Sequence, residues 1–233
     1  MQTNQIKMKK LLGIILPLLL LSCSAEKELL KNNTELEESF INIEIVSIGN
    51  QEWMKQNLDT ELFQNGDTIF HASTNDEWKN AAEENKPAWC YYENDSTTSS
   101  DMGKIYNWYA VNDIRNIAPK GFKVPSMDDW NTLIDTLGGP KSAGIQLMDS
   151  INWIDGTGST GFDAFPGGGR GKQGTFDGKG SYGFWWSTSD FSEKGAYVIY
   201  LYNDQFWGKN GATKDGNPKE MGFTVRCLKI NQN

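Results

Sequence analysis

Few residues in this chain could carry chemistry. His71 is the single histidine among 233 residues, so a Ser-His-Asp or Cys-His nucleophilic system would have to use it. It follows Ile69-Phe70, which reads as the end of a short strand, and a satisfied strand-end or surface histidine is the better reading. Zinc sites of the usual His and Cys kind have too few ligands. Oxygen ligands are plentiful (Asn94, Asp95, Asp101, Asp155, Asp163, Asp177, Asp204 and Asp215), but none falls into a calcium loop closed by a glutamate, and solvated turn residues explain them better. Gly169-Arg-Gly171-Lys-Gln-Gly174 spells G-x-G-x-x-G, yet no apolar strand precedes it and no amphipathic helix follows. A glycine-rich structural loop is expected there, not a phosphate cradle. No catalytic set, metal or cofactor is assigned. Paired carboxylates for glycoside hydrolysis stay open, because their separation cannot be read from sequence.

Aromatic residues offer a different chemistry. Nine tryptophans and 12% aromatics fit an irregular core that packs with rings, and they also fit a surface that stacks sugars. Packing is expected for most of them. Trp185, Trp186 and Trp207, with Asp204 nearby, are the candidate ligand-binding residues.

The three cysteines divide by position. Lys7, Lys9 and Lys10 precede an apolar run, Leu11–Leu21, of about 16 Å as a helix, too short to span a ~30 Å hydrocarbon core. Leu20-Leu21-Ser22-Cys23 then resembles the bacterial lipobox. Residues 1–22 are therefore expected to be a lipoprotein signal peptide, with Cys23 the palmitate-bearing N-terminus of an anchored chain. Residues 23–42 are polar and acid-rich, and read as a tether. Ser24-Ala-Glu-Lys-Glu28 resembles an acidic export tag, so the outer face of the outer membrane is the expected location, with the periplasmic face as the alternative. Cys90 and Cys227 remain, in an export route that permits oxidation. A disulfide between them would close a loop of 137 residues and stabilise the fold by roughly 4–5 kcal/mol; a pair of buried free thiols is the alternative.

Charge narrows the partners. Removing the signal takes the formal net charge from −8 to −11, which repels phosphates, so no nucleic-acid role is expected.

The elements that must position these residues fall within one domain, 43–233. Ile41, Ile43 and Ile45 alternate as a strand, and Val46 to Trp53 turns at Gly49-Asn50 into a second. Gln64-Asn65-Gly66-Asp67 is a tight turn. Asn75–Asn85 has helical composition, with Trp78, Ala81 and Ala82 on one face and Pro87 as its stop. The clearest helix begins at Ser126, with Asp129 completing a capping-box pattern. Trp130, Leu133, Ile134 and Leu137 form its apolar face, and Gly138-Gly139-Pro140 ends it. A shorter helix is expected over Lys141–Met148. Strands are expected at Phe184–Thr188, Ala196–Tyr202 and Met221–Lys229, the last with Phe223, Val225 and Cys227 facing inward. Strands at both ends with helices between imply α+β.

Seven ordered motifs carry a family resemblance. They are Ile48-Gly-Asn-Gln-Glu-Trp-Met-Lys-Gln-Asn-Leu58, Cys90-Tyr-Tyr-Glu-Asn-Asp95, Gly103-Lys-Ile-Tyr-Asn-Trp-Tyr-Ala110, Ala118 to Trp130, Gly161-Phe-Asp-Ala-Phe-Pro-Gly167, Trp185-Trp-Ser-Thr188 and Val225-Arg-Cys227. Together they resemble the Fibrobacter succinogenes major paralogous domain, found mainly in lipoproteins and secreted proteins of Bacteroidetes and Fibrobacteres. Phe122-Lys123 departs from the family's common Trp-His, so any role of that histidine would not carry over. The motifs are also similar to C-type-lectin-like and formylglycine-generating-enzyme-like folds, which implies paired N- and C-terminal strands and long loops. On this reading the protein is expected to be a binding or adhesion module for a glycan or a protein, rather than an enzyme. The alternative is an envelope carbohydrate-active hydrolase.

Overall fold

A computed structural model of the chain describes residues 43–98, 102–204 and 209–230. The signal, the lipobox, the tether and Ile41 lie outside them. Its compact domain begins at Glu44.

Two strands open the domain: β1 (Ile45–Ile48) and β2 (Gln51–Met54), paired antiparallel from Ile45↔Met54 to Ile48↔Gln51. The Gly49-Asn50 turn joins them, with Gly49 at φ +58°, as the turn chemistry requires. After β3 (Phe70–His71), helix α1 (Asn75–Glu83) starts on a Thr74–Glu77 capping box and buries Trp78, Ala81 and Ala82. Next come β4 (Ala88–Cys90), two 3₁₀ turns, β5 (Ile105–Asn107), the single-turn helix α2 (Trp108–Val111) and β6 (Phe122–Lys123).

Helix α3 (Met127–Thr136) has the expected cap. Ser126 Oγ accepts from the Asp129 amide at 3.3 Å, and Asp129 Oδ2 accepts from the Ser126 amide at 2.8 Å. A cap of this kind is worth about 1 kcal/mol. Trp130, Leu133 and Ile134 face the core, and α4 (Pro140–Leu147) follows. The remaining strands are β7 (Gly167–Arg170), β8 (Phe176–Lys179), β9 (Tyr182–Ser192), β10 (Gly195–Asp204), β11 (Lys209–Pro218), β12 (Gly222–Phe223) and β13 (Leu228–Lys229).

They form two sheets. One has four strands in the order β1-β2-β13-β6; the other has nine, in the order β11-β10-β9-β7-β12-β5-β4-β3, with β8 on β7. The opening strand pair and the closing strand meet where Leu228 pairs with Trp53. This is a mixed α+β domain, mostly sheet, with short helices. The larger core cluster brings Trp53, Trp130, Phe162 and Trp185 together with residues of α3, α4 and β10. A second cluster packs α1 against β4 and β5 around Trp78, Cys90 and Ile105.

The closing strand departs from expectation. Residues 222–228 are all buried, so no inward-outward alternation exists. Instead the run threads between the two sheets. Trp186 N donates to Thr224 O, Leu58 N to Val225 O and Met54 N to Cys227 O. Its backbone is used by both sides, which leaves only two residues for each of β12 and β13.

The expected disulfide is corrected too: Cys90 and Cys227 are both free thiols, each fully buried. Cys90 packs in the α1–β4–β5 cluster beside Arg170, while Cys227 lies in the threading run that bonds β2. Burial pushes their pKa values up, to about 11 and about 12 respectively, so neither is a thiolate at neutral pH.

Candidate ligand-binding groove

The structure sorts the aromatic residues of β9 and β10 by strand alternation. Ile199, Leu201 and Trp185 point to the helix-covered side, in the larger core cluster. Tyr182, Phe184, Tyr200 and Tyr202 share the opposite face, because Phe184 pairs with Tyr200 and Tyr182 with Tyr202 across the strands. The four rings form a two-by-two array. Centroids lie 5.7 Å apart for Tyr182–Phe184, with ring planes 16° from parallel, and 5.9 Å apart for both Phe184–Tyr200 and Tyr200–Tyr202. Tyr182 is 40% exposed and the other three are half-buried.

The array borders a groove of about 340 Å³, near the small end of ligand sites. One wall is β7 and β8, with Gly169, Gly171, Thr175, Asp177 and Gly178; the other is Tyr182, Phe184, Asn217, Met221 and Phe223. Glycine is required at the contact of the two walls. A Cβ on Gly169 would stand 2.7 Å from the Phe223 ring, and Gly178 sits at φ +82° under Tyr182 and Phe184. Asp177 is exposed at the lip, and among the described lining residues it is the one carboxylate. Asp215 stands on the array side of β11. Together with burial, which is the larger cause, it raises the Tyr200 phenol, keeping that hydroxyl protonated and able to donate.

Arg170 also reaches the groove wall but is wholly buried. Nε donates to Gly174 O at 3.0 Å, Nη1 to Ala72 O at 2.9 Å, and Nη2 to Thr74 O at 2.9 Å and Asn75 Oδ1 at 3.2 Å. Its guanidinium lies 4.7 Å from the ring centroids of both Trp78 and Phe176. It is a rivet between β7 and the start of α1, in a stretch whose sequence reads as a plain loop.

The expected ligand-binding tryptophans are elsewhere. Trp185 and Trp186 are 1% and 0% exposed, so neither shows a face to a ligand, and that assignment is corrected. Trp185 Nε1 donates to Asn57 Oδ1 and Trp186 Nε1 to Tyr106 O, both at 2.8 Å, as buried indoles need. Trp207 lies outside the described residues, and of Asp204 only the backbone, at the end of β10, is described.

Asn57 joins three motifs. Its Oδ1 also accepts from Arg226 Nε at 2.8 Å, and its Nδ2 donates to Met102 O at 2.8 Å. A further cluster surrounds His71. The imidazole lies flat on Trp89, with centroids 4.0 Å apart and planes 4° from parallel, and burial lowers its pKa. Lys104, nearly buried, holds its ammonium 2.5 Å from Asp59 and 3.6 Å from Glu61, over the Trp89 ring. The Lys104 charge is thus compensated within the fold by two carboxylates. Among the described residues no group of three His, Cys, Asp or Glu side chains is placed to hold a metal ion.

A two-sheet α+β domain with an aromatic groove on the uncovered side of its larger sheet is thus the class of protein in hand. The family model for the Fibrobacter succinogenes major domain matches residues 46–229, and the chain belongs to that family. No curated protein and no solved structure matches it significantly.

Proposed function

We propose that this domain is a glycan-binding module held at the bacterial cell envelope by a lipid on Cys23. One observation carries the binding half: an open array of four aromatic rings beside a groove whose described lining holds a single carboxylate. Aromatic faces stack on the C–H faces of sugar rings, and the hydroxyls of Tyr182, Tyr200 and Tyr202, with Asn217 and Asp177, supply polar partners around them. Two-carboxylate glycoside hydrolysis needs a second acid across the scissile bond, and the described lining offers none. The C-type-lectin-like resemblance of the motifs supports the same reading, as do the paired opening and closing strands.

Affinity electrophoresis of the full-length protein in detergent against a panel of polysaccharides tests the groove. At least one polysaccharide is expected to retard it. Tyr182→Ala and Tyr200→Ala should each weaken that binding by about tenfold, the equivalent of about 1.4 kcal/mol, with little change in melting temperature. Trp186→Phe should do the reverse, lowering stability and sparing affinity. Retention unchanged in both tyrosine variants would remove the groove from consideration.

The anchor is proposed from sequence. In the described residues no helix is long and apolar enough to cross a membrane, so attachment would rest on the lipid. Cys23→Ala should abolish labelled palmitate incorporation in cells, and protease added to intact cells should remove the domain if it faces outward. Palmitate retained by the Ala variant would refute the anchor.

A further inference from the structure

Resting on the glycan reading above, we infer that the groove selects uncharged glycan chains and excludes acidic ones, such as uronate-containing or sulfated polysaccharides. Among the described lining residues the charge exposed to a ligand is negative. Asp177 stands exposed at the lip, its Oδ1 accepting from the Gly178 amide at 2.7 Å. Among the described lining residues the one cation is Arg170, and it cannot serve an incoming anion. Three of its nitrogens donate to carbonyl or amide oxygens, the Trp78 and Phe176 rings lie over it at 4.7 Å, and it has no exposed surface.

Other cations on the surrounding elements have partners or face elsewhere: exposed Lys172, next to Gly171, lines a separate pocket with Glu83 and Glu220. Lys179 places its ammonium over the Tyr92 ring, 5.1 Å from the centroid; Lys214 donates to Asn131; and Lys219 is 2.6 Å from Asp190 and lies over Trp108. A carboxylate or sulfate entering the groove would lose water and gain no charged or bidentate partner in the described lining, while meeting the Asp177 carboxylate at the lip. Neutral sugars carry no such penalty. Their hydroxyls suit Asn217, Thr175, Asp177 and the tyrosine hydroxyls, and their apolar faces suit the rings. The array is larger than one pyranose ring, so it fits a stretch of chain.

The probes are matched pairs with one backbone: hydroxyethyl cellulose against carboxymethyl cellulose, and fully methyl-esterified polygalacturonate against polygalacturonate. The full-length protein is run in affinity gels at 0.1 M and at 1 M salt. At 1 M salt the screening length is about 3 Å, which removes any effect of the protein's overall negative charge. Neutral chains are expected to retard the protein at least tenfold more than their acidic partners, and the preference should survive 1 M salt. Asp177→Asn should narrow the ratio of neutral to acidic retention, the quantity on which the selectivity rests. Acidic chains binding as tightly as neutral ones, in a manner lost with Tyr200→Ala, would overturn the selectivity and leave the glycan reading standing. A preference that disappears at 1 M salt would assign it to net charge and overturn the groove argument. No retention by any polysaccharide would overturn both.

Discussion

Arg226→Met is expected to destabilise the domain by roughly 4–6 kcal/mol, a large part of the 5–15 kcal/mol that holds a typical domain together. Arg226 is 2% exposed and lies in the run that threads between the sheets. Its Nε donates to Asn57 Oδ1, and Nη1 donates to Met54 O, Lys55 O and Phe162 O at 3.3, 2.5 and 2.7 Å. The guanidinium also packs 4.3 Å from the Phe162 centroid. Burial lowers its pKa to about 9, with Asp163 opposing, so it is a cation at neutral pH. Methionine fills much the same volume but donates nothing. Asn57 keeps its bond from Trp185, while the three carbonyls lose a buried donor, at about 1–3 kcal/mol each. For a domain of this size the melting temperature should fall by about 10–20 °C, read by calorimetry or urea denaturation. Arg226→Lys should recover only part of this, since one ammonium cannot reproduce the fork. A loss under about 1 kcal/mol for the methionine variant would mean that water satisfies these carbonyls, and the seam would not depend on Arg226.

The network around Arg226 explains why the family motifs are so easy to read and so uninformative about function. Asn57 of the opening motif, Phe162, Trp185 and Arg226 belong to four separate motifs and meet in one buried set. Lys104, Tyr106 and Trp108, from another motif, bond Asp59, Thr60 and Ser187. Such residues hold loops to sheets, and they mark a fold more than a site. Local elements are also legible. The β1–β2 hairpin and the Ser126–Asp129 cap need only residues a few positions apart, and sequence patterns report that range well.

Elements made by a partner strand are not legible. Lys209-Asn-Gly-Ala-Thr-Lys-Asp-Gly-Asn-Pro218 has the composition of a loop, yet it pairs with β10 over ten positions as an edge strand. Polar, glycine-rich and proline-ended sequence is what a protected edge tolerates, so pairing with β10 outweighs local propensity. The site is hidden for a related reason. Adjacent tryptophans in one strand point to opposite faces, and both faces at Trp185 and Trp186 are covered, so the most conspicuous pair is core. A signal is present nonetheless. Tyr200 and Tyr202 alternate with Ile199 and Leu201, and Tyr182 and Phe184 alternate with Gly183 and Trp185. Reading both strands with period two puts four aromatics on one face, and only the hairpin register is needed to bring them together.

Gly168→Ala should cost about 3 kcal/mol or more and should reduce glycan retention at least as much as Tyr182→Ala does. Gly168 sits at φ +66°, where an alanine is strained by roughly 1–2 kcal/mol. Steric contact costs more than this strain. A Cβ there would stand 2.4 Å from Asp177 O and 2.6 Å from Lys179 N, both backbone atoms of β8. No side chain can swing aside to relieve this, so β8 must move away from β7, breaking the pairing of Gly167 with Lys179 and of Gly169 with Asp177. That movement carries Asp177 and Gly178 out of the groove wall, which ties stability to binding in a single substitution. Gly180→Ala separates the two causes. Gly180 has a similar φ of +81°, but nothing lies within 4 Å of its added Cβ, so strain acts there alone. It should cost about 1 kcal/mol and leave retention near that of the wild type. Equal stability losses in the two variants, with retention intact in both, would show that β8 yields without disturbing the groove and that its position is not what shapes the site.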